Sequence, residues 1–298
     1  MPLTSSHFAQ ARYDEVAPDY DRLWTQHMEG PQARLTAGLA LRPGDQLADV
    51  ACGTGVITLD MARRTRPGAV VAVDYSVNML EAARERLALE GIPLRLVHAE
   101  AQRFVEEAEP ESFDVISCRF ALAYFDWRST LPRIGRLLRP GGRVGILNSL
   151  SSSIPQGFQV YERLRESPRS LWRLLQHFRK DVKRGWSLYK RLRQTFGTTS
   201  FITVPDSPEQ VAALLAQGGL ERPEAWSERV RLWFRSGREV VDWVDASGYA
   251  THPGLQHVDG DGIRFLKAIF AEGLEDLREP GGVPLDIAVS GIVARRAP

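Results

Sequence analysis

A buried strand that stops at a Gly-x-Gly turn most constrains how this chain can fold. The run Leu47-Ala48-Asp49-Val50-Ala51-Cys52 leads into Gly53-Thr54-Gly55, and helical apolar spacing follows. Nineteen residues past Gly55, the apolar run 69–73 ends in Asp74. Glycines in such a turn let a ligand approach the backbone because no Cβ stands in the way. An acidic residue at the tip of the next strand is the usual partner of ribose hydroxyls. The pattern therefore predicts a site for an adenosine-type cofactor.

The turn lacks the third glycine of a dinucleotide fingerprint. The run reads Gly53-Thr54-Gly55-Val56-Ile57-Thr58, whereas a pyrophosphate site needs that glycine close to the helix N-terminus. Asp49 in the first strand also suits a cationic ligand better than a diphosphate. Both observations disfavour an NAD-dependent oxidoreductase. S-adenosylmethionine has a sulfonium and an amino group and no phosphate. At this point the chain resembles the class I S-adenosylmethionine-dependent methyltransferases, in particular the ubiquinone/menaquinone-methyltransferase-like small-molecule branch.

Four further segments follow the order of that family. They are the Tyr-rich stretch Tyr13–Asp21, a third strand at 94–97 leading to Glu100 and Ala101, a fourth strand over 113–120, and the stop Pro140-Gly141-Gly142. The resemblance over residues 13–148 implies an α/β fold. We expect a Rossmann-like, doubly wound, seven-stranded sheet whose last strand is antiparallel, with a helical lid inserted after the fifth strand.

Periodicity places the elements of this fold along the chain. Strands are expected at 46–51, 69–74, 94–98, 113–118, 142–148, 221–235 and 284–295, and helices at 8–29, 31–40, 55–66, 76–90 and 129–139. The expected organisation is N-terminal cap helices and cofactor-binding core (1–149), helical lid (150–206), core continuation (207–235), second lid segment (236–282) and final core strand (283–298).

Composition excludes several classes of protein. Cys52 and Cys118 are the two cysteines among 298 residues, so no disulfide framework is expected and a reduced, cytoplasmic setting is favoured. The first residues do not read as a secretory leader, and no apolar run approaches the ~18 residues of a membrane span. A formal net charge of +1 does not indicate a nucleic-acid binder. We expect a monomer or a homodimer acting on a small molecule.

The two predicted lid segments carry opposite charge. Residues 161–196 hold eleven Lys or Arg against three acids, whereas residues 236–286 hold ten acids against four bases. The two segments either neutralise one another, or the basic one binds an acidic substrate or a carrier protein. Both are expected to cover the substrate pocket; the alternative is that they are extra helices packed away from it.

The family resemblance also implies the residues of the cofactor site. Asp49, with the Gly53 and Gly55 backbone, would hold the methionine part. Asp74 would bind the ribose, and Glu100 with Ala101 the adenine. Tyr13 and Tyr20 would close over the cofactor. The cofactor set also includes Ala51, Tyr75, Met79 and Arg119.

Methyl transfer needs a positioned acceptor and, for a hydroxyl acceptor, a base. The candidates for the acceptor side are His27, His252, His257, Tyr124 and Asn148. No metal site is expected, because Asp126 is the sole acid directly beyond the fourth strand. The sequence thus predicts a methyltransferase for a small-molecule natural product, with oxygen as the favoured acceptor. The alternatives are carbon or nitrogen methylation of a similar, possibly anionic or carrier-bound substrate, or a repurposed fold that binds the cofactor without transferring methyl.

Overall fold

A computed structural model describes residues 5–151, 204–248 and 260–298, apart from Pro67, Leu89 and Ile92, together with five isolated positions between 176 and 190. Side chains are described from residue 10 onward in the N-terminal segment. The candidates His252 and His257 lie outside the described residues, as does most of the predicted lid at 150–206.

Seven strands form one mixed sheet, which confirms the predicted fold class. Their order across the sheet is β3-β2-β1-β4-β5-β7-β6. Strands β1 to β5 pair in parallel, and β7 pairs with β5 antiparallel. The strands are β1 (Leu47–Val50), β2 (Val70–Asp74), β3 (Leu94–His98), β4 (Phe113–Arg119), β5 (Leu138–Ser149), β6 (Leu220–Phe234) and β7 (Val283–Arg296).

Helices alternate with the central strands and contribute buried side chains to the core clusters of the sheet. Within the described residues the α-helices are, in sequence order, α1 (Ser5–Val16), α2 (Tyr20–Leu23), α3 (Glu29–Gly38), α4 (Val56–Thr65), α5 (Val77–Ala88), α6 (Ala101–Glu107), α7 (Trp127–Ile134), α8 (Pro208–Gln217), α9 (Gly237–Ser247) and α10 (Gly260–Glu275). Alternate residues of the central strands enter different clusters: Ile116 packs with Trp127 and Leu131, whereas Val115 packs with Leu39 and Met61. A parallel sheet covered on both faces requires such two-sided burial.

The predicted helix over residues 8–29 is wrong, because the chain breaks after Val16. Pro18 lies in a 3-10 turn, Ala17–Asp19; proline has no backbone N–H to continue an α-helix. After α2 a second 3-10 turn, Thr25–Met28, leads into α3. The N-terminal segment therefore changes direction several times, which brings tyrosines from different turns to one place.

The start of the fifth strand also differs from the prediction. β5 begins at Leu138, within the predicted helix 129–139, since α7 ends at Ile134. Phe113 pairs with Leu138 and Val115 with Arg143, so the intervening residues of β5 form a bulge. Gly141 adopts φ +73° there, in the region that glycine enters without strain.

The chain divides into two compact units: Met1–Ser151 with Val204–Val230 and Ala288–Pro298, and Ser152–Thr203 with Arg231–Ile287. In the second unit α9 packs closely on α10, since a Cβ on Gly237 would meet the Ala271 carbonyl oxygen at 2.0 Å. The lid roles of 150–206 and 236–282 stay predictions. None of the helices described combines the length and apolar character needed to cross a membrane.

Candidate functional site

A cavity opens where β1, β2 and β4 end at their carboxyl edge. This is the edge at which open α/β sheets bind ligands. Most of the residues expected to bind the cofactor line it: Tyr13, Tyr20, Ala51, Gly53, Asp74, Tyr75, Met79, Glu100, Ala101 and Arg119. A second, smaller cavity adjoins it and is lined by Asp49, among others.

The glycine turn and Asp74 are joined by a hydrogen bond. Gly53 adopts φ +56° and its N–H donates to Asp74 Oδ2 at 2.8 Å. Asp74 Oδ1 accepts from the Ser76 N–H at 2.9 Å. Burial raises the pKa of the Asp74 carboxyl, and these backbone donors partly counter the effect. The carboxylate is thus fixed at the tip of β2, facing the cavity.

Gly55, expected to contact the cofactor, is not among the lining residues of either cavity. It sits at the start of α4 with φ +76°. A Cβ there would meet the Ala83 Cβ at 3.0 Å and its Cα at 3.1 Å. The described contacts of Gly55 therefore explain this glycine by the close packing of α4 on α5.

At the far end of the cavity, Tyr75 stacks on His98. The ring centroids lie 5.8 Å apart with the planes 17° from parallel. The His98 Nε2 and the Tyr75 carbonyl oxygen are 2.9 Å apart. Glu100 and Ala101, at the start of α6, line this end together with Met79. Aromatic and apolar walls flanking a carboxylate suit a nucleobase with an exocyclic amine.

Asp49 is buried and forms an ion pair with Arg119. Its Oδ1 accepts from Arg119 Nη1 at 3.2 Å, and its Oδ2 accepts from the Thr58 hydroxyl at 2.6 Å. Burial raises the pKa of the Asp49 carboxyl, while Arg119 and Thr58 act in the opposite direction. Arg119 lines both cavities. Asp49 and Arg119, both expected to bind the cofactor, therefore form one ion pair, a pairing that the sequence did not predict.

Three tyrosines meet on one side of the cavity. The Tyr13 and Tyr124 hydroxyls lie 2.6 Å apart and share a hydrogen bond. The Tyr13 ring packs edge-on against Tyr20 at 5.9 Å and against Tyr124 at 5.3 Å. Burial raises the pKa of all three phenols above the ordinary value. They stay protonated at neutral pH, so each acts as a hydrogen-bond donor or acceptor and not as a base.

Two carboxylates that the sequence analysis missed hold the N-terminal segment in place. Asp14 Oδ1 accepts from the Ser76 hydroxyl at 2.6 Å and from the Asn78 N–H at 3.1 Å, at the start of α5. Asp21 accepts from the Thr54 hydroxyl at 2.6 Å and from Arg86 Nη2 at 2.8 Å. Their partners lie 33 to 65 positions away, so no local pattern could have revealed them.

The residues predicted for the acceptor side do not all lie at the cavity. Tyr124 lines the larger cavity, whereas His27 and Asn148 line neither of the two. Asn148 was expected to point into the acceptor pocket; it is buried, accepts from the Leu122 N–H at 3.2 Å and donates to the Ser149 carbonyl at 2.7 Å. Asn148 thus fixes the backbone that follows β4. Burial lowers the pKa of His27, which lies in the turn before α3.

Sequence reasoning also missed part of the wall. The additional residues of the larger cavity are Gln10, Ser76, Ala99, Phe120, Ala121 and Phe125. Phe120 and Ala51 have φ of +52° and +60°, a conformation rarely adopted by residues other than glycine. Such strain clusters at functional sites, and side-chain identity gives no signal of it. Among the residues described, no cluster of three or more His, Cys, Asp or Glu is arranged to bind a metal ion.

Comparisons with known proteins agree with this geometry. Residues 47–142 match the family model described as a methyltransferase domain. A demethylmenaquinone methyltransferase of Staphylococcus aureus is 32% identical over 157 residues, which is 50% of this chain and 63% of that protein. The chain thus spans less than two thirds of the length of the curated relatives it matches.

Solved structures of similar fold cover most of this chain. A phosphoethanolamine N-methyltransferase 2 of Haemonchus contortus is 17% identical, with a TM-score of 0.55 over 99% of this chain and 61% of that one. The [4+2]-cyclase SpnF is 16% identical, with a TM-score of 0.55 over 99% of this chain and 97% of that one. At these identities the likeness concerns the fold alone, and one fold supports different activities.

Proposed function

We propose that this chain, whose residues 47–142 match a methyltransferase domain, is a class I S-adenosylmethionine-dependent methyltransferase that transfers a methyl group from S-adenosylmethionine to a small molecule. The observation that carries the proposal is the position of Asp74. Its carboxylate faces the cavity from the tip of β2 and is bonded to the glycine turn. Within that frame a ribose can donate its hydroxyls to Asp74 while the rest of the cofactor extends along Gly53.

The residues that line the two cavities suit each part of the cofactor in turn. Asp74 would hold the ribose, and Glu100 with Ala101 the adenine. The Asp49 end of the smaller cavity would take the amino-acid part. Tyr13 and Tyr20 cover the middle, where the sulfonium would lie. Aromatic faces and phenol oxygens suit a cation at that point.

When bound, the cofactor supplies a methyl carbon activated by positive sulfur. The protein then has to hold the acceptor about 3 Å from that carbon and in line with it, which converts a bimolecular step into a positioned one. The Tyr13–Tyr124 pair offers a hydrogen bond to an acceptor oxygen. Phe120 and Phe125 provide an apolar wall and exclude water.

The proposed acceptor is a hydroxyl, phenol or enol of a natural product. What supports oxygen is Tyr124, whose phenol can orient such a group and, being protonated, leaves the base to another residue. His252 and His257 are retained as candidates for that base, and lid closure by 150–206 and 236–282 belongs to the same proposal. Carbon or nitrogen methylation of a similar substrate, possibly anionic or carrier-bound, is the alternative.

Calorimetric titration with S-adenosylhomocysteine tests the cofactor assignment. Wild-type protein should bind it, and Asp74→Ala should weaken binding at least tenfold, because the ribose loses two hydrogen bonds to a charged group. Asp60→Ala is the matched control: Asp60 is a half-exposed acid on α4 paired with Arg64. Failure of wild type to bind, or equal affinity in Asp74→Ala, would refute the assignment.

Incubation with S-adenosylmethionine and a panel of hydroxylated, enolic and amino natural products tests transfer. Mass spectrometry should find products heavier by one methyl group, and NMR of those products identifies the methylated atom. A carbon- or nitrogen-linked methyl would replace the oxygen proposal with its alternative. Cofactor binding without methylation across the panel would favour a repurposed fold.

A further inference from the structure

Gln10 contributes an amide to the wall of the larger cavity. It lies on α1, is half-buried, and lines the cavity together with Tyr13. Residues three apart on a helix lie on one face, with Cβ atoms about 5–6 Å apart. Gln10 and Tyr13 therefore lie side by side in the wall. Within the described part of the chain, the Gln10 side chain makes no hydrogen bond.

Nearby polar groups of the wall already have partners. The Tyr13 and Tyr124 hydroxyls bond each other. The Ser76 hydroxyl donates to Asp14 and accepts from the Met79 N–H at 3.1 Å. The tyrosine pair uses one of its two O–H donors internally, which leaves one to donate to the reacting oxygen of an acceptor. A second polar group of the acceptor needs another partner, and the amide on α1 offers two N–H donors and a carbonyl oxygen.

The charges that line the cavity disfavour an anionic acceptor. They belong to Asp74, Glu100 and Arg119. Arg119 is paired with the Asp49 carboxylate, which offsets its positive charge. The negative charge of Asp74 extends to the tyrosine pair, because it contributes, after burial, to the raised pKa of Tyr13. An uncharged acceptor avoids repulsion from these carboxylates.

We propose that Gln10 selects the acceptor by hydrogen-bonding a second, uncharged oxygen of it while the reacting hydroxyl lies at the Tyr13–Tyr124 pair; this rests on the proposed function. The amide can accept from a hydroxyl and donate to a hydroxyl or a carbonyl. Phe120 and Phe125 line the same cavity and suit an apolar, aromatic body. The substrate class is thus a neutral, largely apolar molecule that carries at least two oxygen groups.

Hydrogen bonding by Gln10 would favour acceptors that carry the second oxygen. An acceptor without it would cover Gln10 and remove water from the amide without replacing it. A site built to hydrogen-bond a ligand hydroxyl rejects the analogue that lacks it, because a polar group of the site is then left unpaired. Gln10 is partly exposed, so we expect a preference of about threefold to tenfold, as for one neutral hydrogen bond.

Four probes on one ring system test this selection: 2-naphthol, 2,6- and 2,7-dihydroxynaphthalene, and 6-hydroxy-2-naphthoate. They differ in the second substituent, which is absent, an uncharged hydroxyl or a carboxylate. Calorimetry on the full chain saturated with S-adenosylhomocysteine measures their affinities. Wild type should bind at least one diol about threefold to tenfold more tightly than 2-naphthol, and should bind the naphthoate most weakly of the four.

Gln10→Leu keeps the approximate size of the side chain and removes its hydrogen bonding. The preference for the diol should fall below about twofold, while the affinities for 2-naphthol and S-adenosylhomocysteine stay unchanged. Gln10→Lys places a cation at the same position, so the naphthoate should become the tightest-binding probe. Glu15→Gln is the matched control: Glu15 is an exposed acid on α1 paired with Arg12, and its loss should leave every affinity unchanged.

Several results would overturn the inference while leaving the proposed function intact. In wild type they are binding of S-adenosylhomocysteine but of no naphthol, equal affinities for the diols and 2-naphthol, or a preference for the naphthoate, which would favour an anionic acceptor. In the variants they are a diol preference retained by Gln10→Leu or a naphthoate affinity unchanged in Gln10→Lys. A wild-type protein that does not bind S-adenosylhomocysteine refutes the proposed function itself.

Discussion

The Asp21 carboxylate accepts a hydrogen bond from the Thr54 hydroxyl at 2.6 Å, which ties the N-terminal segment to the middle residue of the glycine turn. The same carboxylate pairs with Arg86 on α5, and Arg86 Nη1 donates to the Thr54 carbonyl at 2.6 Å. The N-terminal segment, which carries Tyr13 and Tyr20, is therefore held by contacts to the glycine turn that lines the cavity. Cofactor affinity and order in the N-terminal segment should be coupled.

Asp21→Asn should loosen this attachment. The amide has no charge to pair with Arg86 and only one oxygen, so it cannot accept from both Arg86 and the Thr54 hydroxyl. We expect faster limited proteolysis before residue 30 and an affinity for S-adenosylhomocysteine reduced about threefold to tenfold, as for the loss of roughly one hydrogen bond. Asp19→Asn is the control, since Asp19 pairs with Arg22 on the exposed surface. Equal proteolysis of the two variants would contradict the coupling.

The Tyr13–Tyr124 hydrogen bond should appear as non-additivity in stability. Each single change to phenylalanine leaves one buried phenol without its partner, at a cost of about 1–3 kcal/mol. The double variant Tyr13→Phe with Tyr124→Phe removes both phenols and should cost less than the sum of the singles by about 1 kcal/mol. Urea unfolding measures this coupling. Tyr20→Phe serves as the control, and a Tyr13–Tyr124 coupling no larger than that between Tyr20 and Tyr124 would be evidence against a stabilising bond.

Cofactor affinity should depend on pH through Asp74. Ribose hydroxyls donate to the ionised carboxylate, and burial raises the pKa of Asp74. Affinity should therefore fall as pH is lowered through that raised pKa. Titrations with S-adenosylhomocysteine between about pH 4.5 and 8 follow the change, and Asp74→Asn should give a flatter profile.

In the protein without ligand, the raised pKa of Asp74 has the opposite effect on stability from its effect on cofactor affinity. Between the unfolded and folded pKa values of Asp74, the native state binds more protons than the unfolded state. The free energy of unfolding therefore decreases as pH rises through this window. Asp49 has a pKa raised in the same direction, so the contribution of Asp74 is the difference between wild type and Asp74→Asn. If the affinity and this difference in stability rise together with pH, Asp74 is not the titrating group.

Gly55→Ala should lower the free energy of unfolding more than Gly44→Ala, a change at a glycine of similar backbone conformation. At Gly44, with φ +90°, an added Cβ would have no atom within 4 Å. At Gly55, with φ +76°, an added Cβ would contact Ala83. Gly44→Ala should cost about 1–2 kcal/mol for the left-handed conformation. Gly55→Ala should add about 1–3 kcal/mol for overpacking. Equal free energies of unfolding would show that α4 and α5 adjust without strain.

The sequence predicted the sheet well because each central strand is a short, apolar run followed by a turn signal. The position of Asp74, Glu100 and Gly53 at the cavity could be predicted for the same reason, because their places relative to the strand ends are visible in the chain. The long first helix was wrong where Pro18 outweighed helical periodicity. The start of β5 was wrong because a bulge places Pro140 and two glycines inside the strand.

The features that could not be predicted depend on residues far apart in the chain. Nothing near Asp14 or Asp21 indicates partners on α5 or at the glycine turn. The pairing of Asp49 with Arg119 arises because β1 and β4 are neighbours in the sheet. The role of Asn148 depends on the backbone after β4, and the left-handed conformation of Phe120 leaves no trace in residue type.

Asp14 accepts hydrogen bonds at the first turn of α5 from a position 62 residues earlier. The helix α5, which lies within the matched residues 47–142, is thus stabilised by Asp14, which precedes them. Chimeras that join the N-terminal segment of one relative to the sheet of another should fail unless these contacts are exchanged together. Asp14 must accompany Ser76 and Asn78, because the boundary of sequence similarity does not coincide with the boundary of cooperative folding.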